Sequence, residues 1–350
     1  MAADFYLWEH LKETKKSIVI YGMGDGCDKI LGICREKEIP IRGIFASDEY
    51  VRDKTVHGFP LKSYKQIREE LGDVIVLLAF GVFRPDLMER ILQMNKEVEL
   101  YAPEVPLFGG GLFDRTYDLT HKREWEAVKA MLSDEASKEV FQSLLEYRRT
   151  GRILPLVRSE SDKSEDLLTL VPFREGDVYV DLGAYDGDTV AEWARLHPNY
   201  GSILAVEPGK KTFEKLKRNT CHMRSVQLVE GAIWNENAPL SFNGKSGRSA
   251  AVSSNGRDTV AGYTLDGLCK KADFIKFDVE GAEKEAIEGA AGLIQGSAPT
   301  LCISCYHRTE DLFAIPLQVK RLVPEYRVYL RHQPYVPAWD TVFYFVKREG

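Results

Sequence analysis

The chain has 350 residues, 44% of them hydrophobic and 29% charged, with a formal net charge of −6. Such a length is long for one core and predicts two domains. The acidic balance argues against a nucleic-acid binder, which needs a basic face, and the longest apolar run, Val74–Phe83, falls short of the about 20 residues that span a bilayer. "MAADFYLWEHLKETKK" holds no apolar signal core, so a cytoplasmic location is expected.

"KSIVIYGMGDG" reads as a strand entering a glycine turn, and "CDKILGICREK" continues with helical spacing. A strand in "PIRGIFASD", a helix in "YKQIREEL", a strand in "DVIVLLAF", a helix after Pro85 and a short strand in "EVELYAP" follow. Strands alternating with helices imply a parallel sheet, here a Rossmann-like domain over residues 1–108. Gly22, Gly24 and Gly26 form an imperfect dinucleotide fingerprint, because Cys27 stands at the third glycine position. Asp48, after the second strand, stands where a ribose-binding acid would. These four residues are the candidate nucleotide site of this domain; the alternative is a scaffold without a ligand.

Residues 109–165 change pattern. Trp125, Val128 and Leu132, then Val140, Leu144 and Tyr147, recur every three or four residues. Two amphipathic helices follow from that spacing, with Ser133 as an N-cap between them. They connect the domains or meet a second copy, and the oligomeric state stays open.

A second βα series occupies 166–350. Strands are predicted near 177–181, 203–207, 226–230, 273–278 and 299–306, each but the third followed by a helix. "YRVYLRH" and "DTVFYFVK", joined by a short link, predict an antiparallel hairpin on a parallel sheet. The polar, glycine-rich "NGKSGRSAAVSSNGRDTVAG" reads as a long loop, either a lid or a segment without function. Cys302 and Cys305 form the only C-x-x-C. Their offset of three in a strand points the thiols to opposite faces, which suits small buried residues better than a metal or redox pair.

The chemistry centres on "VYVDLGAYDGDT". Asp181 at the strand end would repel a pyrophosphate and suits a cationic ligand. S-adenosylmethionine is one, with its ammonium and sulfonium. Gly183 lets the backbone approach such a ligand, Gly187 supplies turn freedom, and Ala184 and Asp186 share the loop. Thr189, near the following helix start, assists the free amides there in receiving a carboxylate. Glu207, followed by Pro208, stands where an acid accepts both ribose hydroxyls. Ala232 and Ile233 form an apolar wall beside an adenine.

Four stretches carry a resemblance: "VDLGAYDGDT", "AVEPGKKTFEKLKRN", "YTLDGL" and "DFIKFDVEGAEKEAIEGA". On them, residues 166–350 resemble the FkbM-type methyltransferases, S-adenosylmethionine-dependent enzymes that mostly methylate hydroxyls of sugars and natural products. The resemblance implies a Rossmann-like seven-stranded sheet with a terminal hairpin, and O-methylation of a saccharide acceptor. More loosely, "GIFASDEYVRDKTVHGFPLKSYKQI" resembles the nucleotide-sugar-binding N-terminal domains of sugar acetyltransferases and related polysaccharide enzymes.

Amine methylases carry Asn or Asp before two prolines at the end of the fourth strand, and cytosine methylases a Pro-Cys; both are absent here. Asp278 is therefore placed facing the donor and Glu280 near an oxygen acceptor. Glu283 reads as stabilising a helix N-terminus. His307, at the same sheet edge, is the candidate base. Arg308, Asp311, Arg331 and His332 are either acceptor contacts or a surface salt-bridge cluster. No metal is expected, since Tyr306-His307 replaces the Asp-Asn pair of magnesium-dependent catechol-type methylases. The rival reading is a non-catalytic nucleotide-sugar-binding partner with a vestigial fold, against which stand Asp181, Glu207 and Asp278.

Overall fold

Residues 5–51, 53–243, 251–252 and 258–347 are described by a computed structural model of the chain. After helix α1 (Leu7–Glu13), strands β1 (Ser17–Tyr21), β2 (Ile41–Phe45), β3 (Thr55–Val56), β4 (Phe59–Lys62), β5 (Val74–Leu78) and β6 (Glu99–Tyr101) form one sheet. Its order is β3-β4-β2-β1-β5-β6, parallel throughout except for β3. The crossovers are α2 (Asp25–Glu36), α3 (Tyr64–Leu71) and α4 (Pro85–Glu97). Covered on both faces, β5 is apolar at every position. Ser63 and Gln66 close a capping box on α3, and Pro85 opens α4. The β3–β4 hairpin was not predicted, because two residues cannot display an alternation.

Between the domains lie α5 (Arg115–Thr120), α6 (Lys122–Met131), α7 (Glu135–Thr150), α8 (Leu154–Arg158) and α9 (Lys163–Leu170). The predicted stripes sit on α6 and α7, and they pack into a core continuous with both sheets. They are covered within one chain. The expected cap is corrected: Asp134 receives the Ser137 N–H, while the Ser133 hydroxyl receives the Val328 N–H of the terminal hairpin. α9 runs across the 165/166 boundary.

The second sheet comprises β7 (Val178–Leu182), β8 (Ser202–Glu207), β9 (Val226–Glu230), β14 (Phe274–Phe277), β15 (Thr300–Ser304), β16 (Arg327–His332) and β17 (Thr341–Val346). Its order, β16-β17-β15-β14-β7-β8-β9, is parallel from β9 to β15, with β17 antiparallel between β15 and β16. Helices α10 (Asp188–Leu196), α11 (Lys210–Thr220), α12 (Leu265–Leu268), α13 (Glu283–Glu288), α14 (Ala291–Ser297) and α15 (Asp311–Leu322) complete this seven-stranded, Rossmann-like domain with its terminal hairpin. A smaller sheet, β10-β13-β11-β12, holds β10 (Ala232–Ile233), β11 (Pro239–Asn243), β12 (Ala251–Val252) and β13 (Asp258–Tyr263). Its last strand replaces the end of the expected long loop; residues 244–250 and 253–257 of that loop lie outside the described residues. Cys302 and Cys305 are buried, free thiols. Among the described residues, no helix is long and apolar enough to cross a membrane.

Candidate active site

A cavity of about 990 Å³ opens at the carboxyl ends of β7, β8 and β14. Gly183 stands at its wall with φ +83°, and a Cβ there would lie 1.9 Å from the Asp278 carbonyl oxygen, so only glycine lets these neighbouring strand ends meet. Of the residues expected around the donor, Gly183, Thr189, Glu207, Pro208, Ala232, Ile233 and Asp278 line the cavity. Asp181, Ala184, Asp186 and Gly187 do not. Ala184 is fully buried, Asp186 offers its carbonyl to Asn219, and Gly187 packs against α11.

Asp181 is the main correction. Its carboxylate is completely buried, receiving the Thr189 hydroxyl at 2.5 Å and facing the Lys276 ammonium at 3.3 Å. It holds the site together instead of meeting a ligand. Lys276 sits opposite Asp181 in register and also lies 3.5 Å from Asp278. Burial opposes its charge, but the carboxylates of Asp181 and Asp278 outweigh burial and hold its pKa above that of ordinary lysine. In turn Lys276 and His307 keep Asp278 below the usual carboxylate range against burial. Sequence reading overlooked Lys276. The signal was there, since it precedes Asp278 by two residues and shares its face of a central strand.

Glu207 is nearly saturated. Oε1 receives the Gly209 N–H at 2.8 Å and the Thr212 hydroxyl at 2.6 Å, and Oε2 the Tyr185 N–H at 3.0 Å. One acceptor position on Oε2 remains. A two-point grip on a ribose needs Thr212 to turn its proton to the Gly209 carbonyl, already 2.7 Å away. Burial raises the Glu207 pKa, against those three hydrogen bonds.

Past β14 the chain turns sharply. Glu280 takes φ +53°, uncommon for a residue with a side chain, and Gly281 follows at +88°. This turn aims the half-buried Glu280 carboxyl at the cavity. Burial pushes its pKa up to about 8, opposed by His307. His307 itself is 1% exposed and does not line the cavity. Its Nδ1 donates to Glu283 Oε1 at 2.9 Å, while Nε2 lies 3.5 Å from Glu280 and 3.7 Å from Asp278. Burial alone would discharge the ring, but Glu283, Glu280 and Asp278 together push its pKa up to about 10. That raised proton affinity, with the ring buried behind the cavity wall, counts against the expected role of His307 as a neutral base. Glu283 is likewise more than a helix-end charge: it is buried and receives both the His307 ring and the Val279 N–H. Tyr306 donates its hydroxyl to Asp278. Phe108, the last residue of the first domain, covers His307 edge-on and leaves no room for a side chain at Gly281.

Arg331 and His332 are not acceptor contacts. Arg331 is buried and bound to Asp134 at 2.6 Å and Asp166 at 3.0 Å, anchoring the connector. His332 is wholly buried with Nδ1 on Thr341, and burial lowers its pKa to about 4. Arg308 donates to the Gly281 carbonyl and the Asp311 carboxylate receives the Arg308 N–H, so both brace the Glu280–Gly281 turn. In the first domain, a Cβ on Gly22 would strike Phe80 and one on Gly26 the Ala79 carbonyl. These glycines let the loop pack on the end of β5. With Gly24 and the exposed Asp48, they lie outside the lining of the cavity at the ends of β7, β8 and β14.

Residues 181–337 match the family model described as the methyltransferase FkbM domain. No curated protein matches the chain. The solved structure of a methyltransferase FkbM from Methylobacillus flagellatus KT is similar over 99% of this chain and 96% of its own, with a TM-score of 0.75 and 18% identity. That likeness is one of fold, and it includes the first domain and the connector. A precorrin-6y C5,15-methyltransferase from Geobacter metallireducens GS-15 covers 54% of this chain and 93% of its own, at a TM-score of 0.35 and 16% identity, too low to argue from.

Proposed function

From a chain that carries a methyltransferase FkbM domain over residues 181–337, we propose an enzyme that moves the methyl group of S-adenosylmethionine to a hydroxyl of a saccharide. The donor set fits such a ligand. Asp278 offers a half-buried carboxylate to a cation, Glu207 keeps an acceptor position for a ribose hydroxyl, and Ala232, Ile233 and Phe242 give an apolar wall. When bound, the donor supplies an electrophilic methyl on its sulfonium.

One observation carries the oxygen chemistry: a carboxylate with raised proton affinity, Glu280, faces the cavity beside Asp278. A hydroxyl attacking a methyl group must lose its proton, and a base with a pKa near working pH takes it best. Glu280 is that base, and the charged His307 behind it holds the surrounding carboxylates in place. Asp162, Lys163, Gln333 and Asp340 add hydrogen-bonding side chains to the rest of the cavity, as a polyhydroxylated acceptor needs. Transfer of labelled methyl groups to saccharides, competed by S-adenosylhomocysteine, tests the reading; transfer only to amines would end it.

Rate against pH distinguishes the bases. With Glu280 acting as carboxylate, kcat should rise through about 8, then fall as His307 loses its proton near about 10. A single rise near about 6.5, the ordinary histidine value, would return the base role to a neutral His307.

Donor binding has its own test. Glu207→Gln puts an NH₂ group against N–H donors from Tyr185 or Gly209. Calorimetry with S-adenosylhomocysteine should show affinity falling about 10–100-fold, the loss of one charge-assisted bond. Unchanged affinity would remove Glu207 from the donor site.

A further inference from the structure

Phe83 is a large apolar side chain left 57% exposed, at the edge of the first domain. It is nevertheless fixed. The Val82 and Val336 backbones exchange hydrogen bonds at 2.7 and 2.9 Å, pinning this edge to the loop between β16 and β17. One face of the Phe83 ring stacks on Tyr335 at 5.5 Å and 26°, and Tyr335 leans on Trp339 at 5.3 Å. Gly81 has no room for a Cβ against those two rings. The ends of the same loop, Gln333, Pro334 and Asp340, line the catalytic cavity. Pro334 also walls a second groove, of about 720 Å³, which runs beside Phe83 along Glu89, Arg90, Gln93 and Lys96 of α4. An aromatic platform on one domain is thus tied to the rim of the cavity on the other.

We infer that the groove is an acceptor subsite: a saccharide chain whose reacting unit lies in the cavity continues over Pro334 and stacks a neighbouring sugar ring on Phe83. The inference rests on the saccharide reading above. A sugar ring has an apolar face of C–H groups and a rim of hydroxyls. Phe83 suits the first, and the charged and amide groups of Glu89, Arg90, Gln93 and Lys96 suit the second. Met88, Leu92 and Pro334 add apolar surface beside Phe83, but an apolar tail would also lie against the charged Glu89, Arg90 and Lys96 and cost them hydration. Tyr335 already immobilises the Phe83 ring, so stacking costs little further ordering.

The test is binding of labelled full-length protein to an array of immobilised saccharides, from single sugars to oligomers. Wild type should favour oligomers. Phe83→Ala, at an exposed site, should weaken oligomer binding by roughly 3–10-fold, the range of an aromatic contact, with single-sugar binding and S-adenosylhomocysteine affinity unchanged. Oligomer binding equal in wild type and variant overturns the subsite and leaves the saccharide reading standing. Wild type that binds no sugar overturns that reading, and the subsite with it. Retention on an octyl-chain probe instead, lost in Phe83→Ala, makes the groove an apolar subsite and likewise refutes the proposal.

Discussion

Glu280→Gln is expected to lower kcat by about 10²–10⁴-fold, the usual contribution of a positioned base, while S-adenosylhomocysteine affinity holds. The substitution keeps the shape of the side chain and removes its ability to take a proton. The turn should survive, because the φ of +53° at this position belongs to the backbone, which Gly281 and the Arg308 contact to the Gly281 carbonyl also hold. Donor affinity should survive because Asp278 and Glu207, which the proposal sets against the donor, keep their partners. The pH profile sharpens the test: residual activity in the variant should lose its rise through about 8. Full turnover in Glu280→Gln would end the assignment and move attention to Asp278, the neighbouring carboxylate at the cavity wall.

How far the sequence reaches differs from element to element. The central strands of both parallel sheets were legible because they are short apolar runs bounded by turns, as in "VIVLL" and "SILAVE". The helices α8 and α9 were not, since α8 has only five residues and α9, "KSEDLLTL", holds its polar and apolar residues in two blocks without helical spacing. Asp181 illustrates the limit at the site. Its position at a strand end was read correctly, but its role depends on Lys276, which lies beside it only through the β7–β14 register. Pairing across strands is a tertiary fact that no local pattern carries. Arg331 and His332 failed for a related reason. β16 does end on the carboxyl edge, yet it is the outermost strand, and Asp134 and Asp166 from the connector claim its arginine. Glu283 was misread because a helix-end carboxylate is ordinarily solvated, whereas this one is 1% exposed and meets a histidine from beyond β15.

The same buried pair supports the second large effect. His307→Ala should cost about 3–5 kcal/mol of stability, the usual penalty for stranding one partner of a buried ion pair. It leaves Glu283 facing only the Val279 N–H, and its Oε2 has no hydrogen-bond partner among the described residues. Glu283→Gln should cost less, because its amide oxygen still receives the Val279 N–H. In the double variant no stranded charge remains, so its loss should be smaller than the sum of the singles by roughly 0.5–3 kcal/mol. Denaturant melts of the four proteins measure this coupling, and additive losses would mean that the two side chains do not act as a pair. A kinetic consequence separates this from damage to the fold. His307 is the cation nearest Glu280 and opposes the rise of its pKa. Without it the carboxylate ionises at higher pH, so the rising limb of the rate profile should move above about 8. A destabilised variant in which that limb stays put would make His307 a packing residue and place the charge balance of the catalytic turn on Lys276 alone.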